Sequence, residues 1–136
     1  MLSVMAYHPQ TLDPSAVRVL VAARRQSTRS ALRQVIESQP GVDLVAVAAD
    51  LAATVRSMRD IRPHVVLVDR GLLGRPGLPW LPAIARDAPD AAIYVVGMGD
   101  HPRLPAQARA AGAAGYIRLD EAGDAVPAVL AMPVAA

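Results

Sequence analysis

Five times along this chain a short apolar run gives way to a segment whose apolar residues recur every three or four positions. The runs VRVLVA (17–22), DLVAVA (43–48), VVLV (65–68), AIYVV (92–96) and AGYI (114–117) predict strands. Between them, STRSALRQVIES (27–38) predicts a helix with Leu32, Val35 and Ile36 on one face and Ser27 or Thr28 as its cap. Asp50 is placed to cap a second helix, 51–61, on which Leu51, Val55, Met58 and Ile61 share a face, and Pro63 ends it. Further helices are expected over about 78–87 and about 103–111, then a weak last one interrupted by Gly123 and Pro127. Proline inside a helix costs about 3 kcal/mol, so the last helix is expected to begin near Asp124. Residues 1–16 hold two prolines and no periodicity and read as a flexible arm, 17–132 as the folded domain, and 133–136 as a tail.

Strand and helix alternating with short connections require parallel strands joined by right-handed crossovers, with helices on both faces. The expected fold is therefore α/β and flavodoxin-like: a doubly wound five-stranded parallel sheet in the order 2-1-3-4-5. Its crevice opens at the carboxyl ends of the first and third strands. Asp69 ends the third strand, in HVVLVDRGLLGRPGLP, and Ala23 and Arg24 end the first, so this topology brings the three together.

Composition narrows the chemistry. The length, 136 residues, suits one domain, and 53% hydrophobic residues exclude a disordered tail. There is no cysteine, hence no disulfide framework and no thiolate chemistry. All 14 basic residues are arginines, which excludes Schiff bases and the phosphate-binding lysine of P-loops. Net charge is only +2 and aromatic residues are 3%, so neither a base-stacking platform nor a basic recognition helix is supported, and direct nucleic-acid binding is not expected. No apolar run approaches a membrane span and no signal peptide is evident, so a cytoplasmic location is expected. His8, His64 and His101 lack metal-ligand spacing, and no nucleophile elbow or dinucleotide fingerprint is present.

Three segments together resemble the bacterial response-regulator receiver domain, of the chemotaxis-protein-like kind. IRPHVVLVDRGLLGRPGLP (61–79) is similar to that family's phosphoacceptor strand and the loop after it. ARAAGAAGYIRLD (108–120) resembles its fourth helix and fifth strand, and VRVLVAARRQSTRSALRQVIES (17–38) its first strand and helix. The resemblance makes Asp69 the phosphoacceptor position and leaves Gly71 able to offer a backbone carbonyl to a metal ion. It also places the family's acidic pair at Ala23 and Arg24, its hydroxyl residue at Gly97 and its lysine at Leu119. One of four side-chain functions survives, so the resemblance implies an atypical, degenerate member.

A carboxylate attacking an anionic phosphoryl group needs cations to offset the repulsion. No metal site is expected, and no cofactor; Mg²⁺ enters, on Asp69 and Gly71, only if the phosphoacceptor chemistry is live. Arg24 reads either as a solvated loop arginine or as an ion-pair partner of Asp69. The expectation is a stand-alone receiver in a two-component phosphorelay, not itself an enzyme, acting through contacts with a histidine kinase or downstream regulator. The alternatives are a conventional receiver phosphorylated on Asp69 and a small-molecule-sensing receiver. A short last helix leaves apolar surface, so a homodimer is expected through a face carrying Val126, Val129 and Leu130.

Overall fold

A computed structural model describes residues 4–6, 15–74, 77–99 and 101–131. Its sheet contains β1 (Val4–Ala6), β2 (Val17–Ala22), β3 (Val42–Ala48), β4 (Val65–Asp69), β5 (Ala92–Gly97) and β6 (Gly115–Arg118). The helices are α1 (Gln26–Glu37), α2 (Leu51–Ile61), α3 (Arg70–Leu73), α4 (Leu81–Ala85), α5 (Leu104–Ala110) and α6 (Ala122–Leu130). Spatial order is β1-β3-β2-β4-β5-β6. The five strands from β2 onward are parallel and follow the order 2-1-3-4-5, as the alternation predicts.

The sheet is buried on both faces, which is why its strands read as nearly unbroken apolar runs. Leu20, Val66, Val68, Ile93 and Val95 pack beneath α2, α3, α4 and α5, with Met58, Leu72, Leu81 and Ala108 among their partners. Val19, Val21, Val65, Leu67, Val96 and Ile117 face the other way, toward Leu32 and Ile36 of α1 and Val126 and Leu130 of α6. Alternation along each strand thus sends neighbouring residues into two separate cores.

Four expectations need correction. Val4–Ala6 lies in the segment read as an arm, yet it pairs antiparallel with β3, Val4 opposite Ala48 and Ala6 opposite Ala46. It saturates the free edge of β3 with main-chain bonds, which side-chain periodicity does not signal. Neither Ser27 nor Thr28 caps α1, which begins at Gln26, with Arg25 as its N-cap and Thr28 buried. The guanidinium of Arg29 folds back to the carbonyls of Ala23 (2.8 Å) and Arg24 (2.9 Å), winding the first turn earlier than a hydroxyl cap would. Asp50, by contrast, caps α2, its Oδ1 accepting from the Ala53 amide at 2.7 Å.

The other two corrections concern α6. It starts at Ala122, not Asp124, because a 3₁₀ turn over Leu119–Glu121 runs straight into it. Pro127 sits inside the helix, and the carbonyl that loses its usual amide donor belongs to Gly123, an exposed residue. Two of the three residues expected on a dimer face, Val126 and Leu130, point inward instead. Val126 is fully buried and Leu130 8% exposed; both pack into the α1–α6 core, with Val129 against it, because i, i+4 spacing turns them to the sheet. Residues 132–136, which include the expected tail, lie outside the described residues.

Candidate functional site

The carboxyl ends of β2, β4 and β5 meet where the topology predicts a crevice. β2 continues into Ala23, fully buried, whose amide donates to the Ala48 carbonyl at 3.0 Å and whose own carbonyl is held by Arg29. Asp69 closes β4 opposite Val96 of β5. The chain then turns at once into α3, so the carboxylate lies over that turn: a Cβ on Gly71 would stand 3.1 Å from Asp69 Oδ2. Asp69 stands at the N-cap of α3 without a side-chain capping hydrogen bond, although the Gly71 and Arg70 amides lie near its carboxylate. Burial pushes the Asp69 carboxyl above its ordinary value, outweighing the Gly71 amide, the Arg25 charge and the Arg70 amide, all of which favour the carboxylate.

Arg25, rather than Arg24, is therefore the arginine whose charge reaches Asp69. Among the described residues no ion pair is formed to Asp69, and Arg24 is exposed. Gly97, at the end of β5, is buried and contributes no side chain to the crevice. Leu119 opens the 3₁₀ turn after β6 and packs against the α1–α6 core, away from Asp69. Arg118 pairs with Asp120 at 2.8 Å and Glu121 at 3.6 Å. Of the predicted residues, Ala23, Asp69, Gly71 and Gly97 are gathered at the strand ends, whereas Arg24 points to solvent and Leu119 to a core.

Two residues that patterning did not single out matter here: Arg25 and Tyr116. Tyr116, in β6 beside Val95, sends its ring along the strands until its hydroxyl reaches Gly97. The hydroxyl is buried and, among the described residues, has no hydrogen-bond partner. Burial raises the Tyr116 pKa above its ordinary value, with Arg70, Arg118, Asp69 and Asp120 all close enough to act on it. The signal in the sequence is a glycine ending one apolar run and a tyrosine in the next, which meet only once the β5–β6 register is known. Elsewhere, His64 sits at the opposite end of the sheet, His101 and Trp80 are exposed, and His8 lies outside the described residues.

Mg²⁺ is the ion that a phosphoacceptor carboxylate would require. The residues present do not fit it. Asp69 is a single carboxylate, the neighbouring strand end is the methyl of Ala23, and the charge acting on it is the guanidinium of Arg25. Among the described residues no three His, Cys, Asp or Glu side chains come together. Mg²⁺ can be bound through one or two carboxylates when substrate phosphates supply the rest, but an adjacent cation opposes even that.

The topology and the strand-end aspartate define a class, and comparison with known proteins agrees with it. The family model of the response regulator receiver domain matches residues 19–126, and the chain belongs to that family, a receiver of two-component signalling. It is 34% identical over 100 residues to protein-glutamate methylesterase/protein-glutamine glutaminase 5 of Myxococcus xanthus, covering 73% of this chain and 29% of that protein. It is 30% identical over 108 residues to the nitrate/nitrite response regulator protein NarP of Escherichia coli, covering 79% of this chain and 50% of that one. The chain thus spans half or less of the length of these relatives. Among solved structures, a LuxR-family two-component response regulator from Aurantimonas superposes with a TM-score of 0.73 at 30% identity, covering 86% of each chain. The response regulator domain of Thermotoga maritima CheB, at 21% identity and TM-score 0.73, covering 85% of this chain and 93% of that one, shares the fold. No helix among the described residues is long and apolar enough to cross a membrane.

Proposed function

We propose that this receiver signals through protein contacts, with a histidine kinase or a downstream regulator as partner, and without Mg²⁺-dependent phosphorylation of Asp69. The observation that carries this reading is the isolation of Asp69. Its flanking strand end is a buried methyl group, its hydroxyl-bearing neighbour is replaced by Gly97, and the position of the lysine is Leu119, turned into a core. A phosphoryl group arriving there would meet a carboxylate that burial already disfavours as an anion, and among the described residues no cluster of ligating side chains to hold a bridging metal. The conventional phosphoacceptor is the alternative, and intact-mass measurement separates them. After acetyl phosphate and Mg²⁺ the native chain is expected to show no phosphoryl adduct. An adduct that vanishes in Asp69→Asn makes the conventional reading correct.

The same face that carries α5, β6 and α6 is proposed as a homodimer surface, with its exposed side chains in place of Val126 and Leu130. Arg109 on α5 and Asp124 on α6 are both exposed, so a two-fold pairing sets a basic helix edge against an acidic one. Light scattering at high micromolar concentration is expected to give twice the chain mass, falling toward the monomer in high salt. A monomer at low salt rules the surface out.

A further inference from the structure

At the other end of β4 from Asp69, a cavity of about 520 Å³ opens between three segments. Arg18 enters it from the start of β2, Arg62 and His64 from the turn before β4, and Asp87 and Asp90 from the turn before β5. Since β4 lies between β2 and β5, Arg18 and the two aspartates come from opposite sides. Among the described residues neither arginine is ion-paired with either aspartate: Asp87 is taken by Arg59 at 3.0 Å, and Asp90 has no ion pair. The Arg18 guanidinium is tied to the Arg62 carbonyl, which keeps it from closing on the aspartates. Arg62, at φ 54, is the sole non-glycine residue with a positive φ among the described residues. Glycine would hold that turn without strain, so an arginine there points to a use for its side chain. His64 accepts the Arg18 amide on Nδ1, so its ring proton sits on Nε2 and is a donor.

We propose that this cavity binds a small zwitterion of the free amino-acid class, its carboxylate held by Arg18 and Arg62 and its ammonium by Asp90 beside Asp87. A simple anion would face two carboxylates there, and a simple cation two guanidinium groups. A ligand carrying both charges meets the opposite charge at each end, and the mismatched wall rejects the others. Guanidinium groups suit a carboxylate because their donors pair with both of its oxygens. The volume falls within the roughly 300–1,000 Å³ of small-ligand sites. Pro63 and Pro89 supply apolar surface for the ligand's carbon atoms, and main-chain bonds of His64 to β2 and β5 hold the floor rigid. Such a site gives the receiver an input that needs no chemistry at Asp69, whichever way the phosphorylation assay falls.

Calorimetric titration of the native chain with each of the common α-amino acids tests the site, with acetate and methylammonium as single-charge controls. At least one amino acid is expected to bind saturably, and neither control. Arg62→Gly and Asp90→Asn are each expected to weaken that binding on the order of tenfold, the loss of one charge-assisted contact. Arg62→Gly is the decisive variant, because glycine accepts the left-handed turn: its urea midpoint is expected to hold or rise while affinity falls. Arg86→Gln removes an exposed arginine next to Asp87 but outside the cavity lining, and is expected to bind as the native chain does. The proposal is overturned by the absence of saturable binding with every amino acid, by a control that binds as tightly as the amino acid, or by native affinity in Arg62→Gly. Equal losses in Arg86→Gln and Arg62→Gly overturn it too, since they would mean diffuse charge attraction and no seated ligand.

Discussion

The two ends of the sheet are built on different terms. At the amino end, His64 and Arg18 exchange bonds across β2 and β4: the Arg18 amide donates to His64 Nδ1 at 3.0 Å and the His64 amide to the Arg18 carbonyl at 2.9 Å. The Ala92 amide adds a bond to the His64 carbonyl, tying in β5 at 2.9 Å, and the Arg18 guanidinium holds the Arg62 carbonyl. Arg62, at φ 54, is the left-handed residue that ends α2 and turns the chain into this knot. At the carboxyl end, Asp69 has no ion pair among the described residues and the Tyr116 hydroxyl has no partner. A parallel sheet reserves its carboxyl end for ligands, so bonding left open there is what a functional site leaves behind.

The contrast is sharpest in a pair of deletions. His64→Ala removes the acceptor for the Arg18 amide and strands a partly buried donor, which typically costs about 1–3 kcal/mol. Tyr116→Phe removes a hydroxyl that bonds nothing, and is expected to leave stability unchanged or raise it. Urea denaturation at pH 8 measures both. A loss in Tyr116→Phe equal to that in His64→Ala would mean that the hydroxyl has a partner after all, and the comparison of the two ends would fail.

How far the sequence alone reaches follows the same division. The five parallel strands are readable because burial on both faces forces unbroken apolar runs such as Val65–Val68, and helix–strand alternation then leaves few topologies. Asp69 is readable as a strand-end residue for that reason. Val4–Ala6 is not, since a three-residue edge strand owes its place to main-chain pairing with β3. That the charge acting on Asp69 is that of Arg25 and not of Arg24 is hidden too, because nothing in the pattern separates two adjacent arginines at the start of α1. Tyr116 and Gly97 stand nineteen positions apart along the chain (116 − 97) and acquire meaning only through the β5–β6 register. Residues that bury themselves are visible in pattern; residues that meet across strands are visible only in the fold.

A smaller effect separates the ends by the sign of their pH dependence. His64 is held below its ordinary pKa of 6.5, first by burial and then by the Arg18 charge, in a setting that also includes Arg62, Asp87 and Asp90. Its Nδ1 must stay unprotonated to accept the Arg18 amide. The unfolded chain therefore takes up the proton first, and the stability present above pH 6.5 is lost as pH falls through the lower, folded value. Asp69 is the reverse case. Burial raises its carboxyl above 3.8, so the native state holds the proton longer; stability is greatest below 3.8 and declines as pH rises through the folded value. Thermal melts from pH 3 to 8 on the native chain, His64→Ala and Asp69→Asn read the two contributions. His64→Ala is expected to flatten the decline below pH 6.5, and Asp69→Asn to melt higher than the native chain at neutral pH, with the gain vanishing below 3.8. If Asp69→Asn instead melts lower at neutral pH, the carboxylate is stabilised by a partner, and the carboxyl end of the sheet is as fully bonded as the amino end.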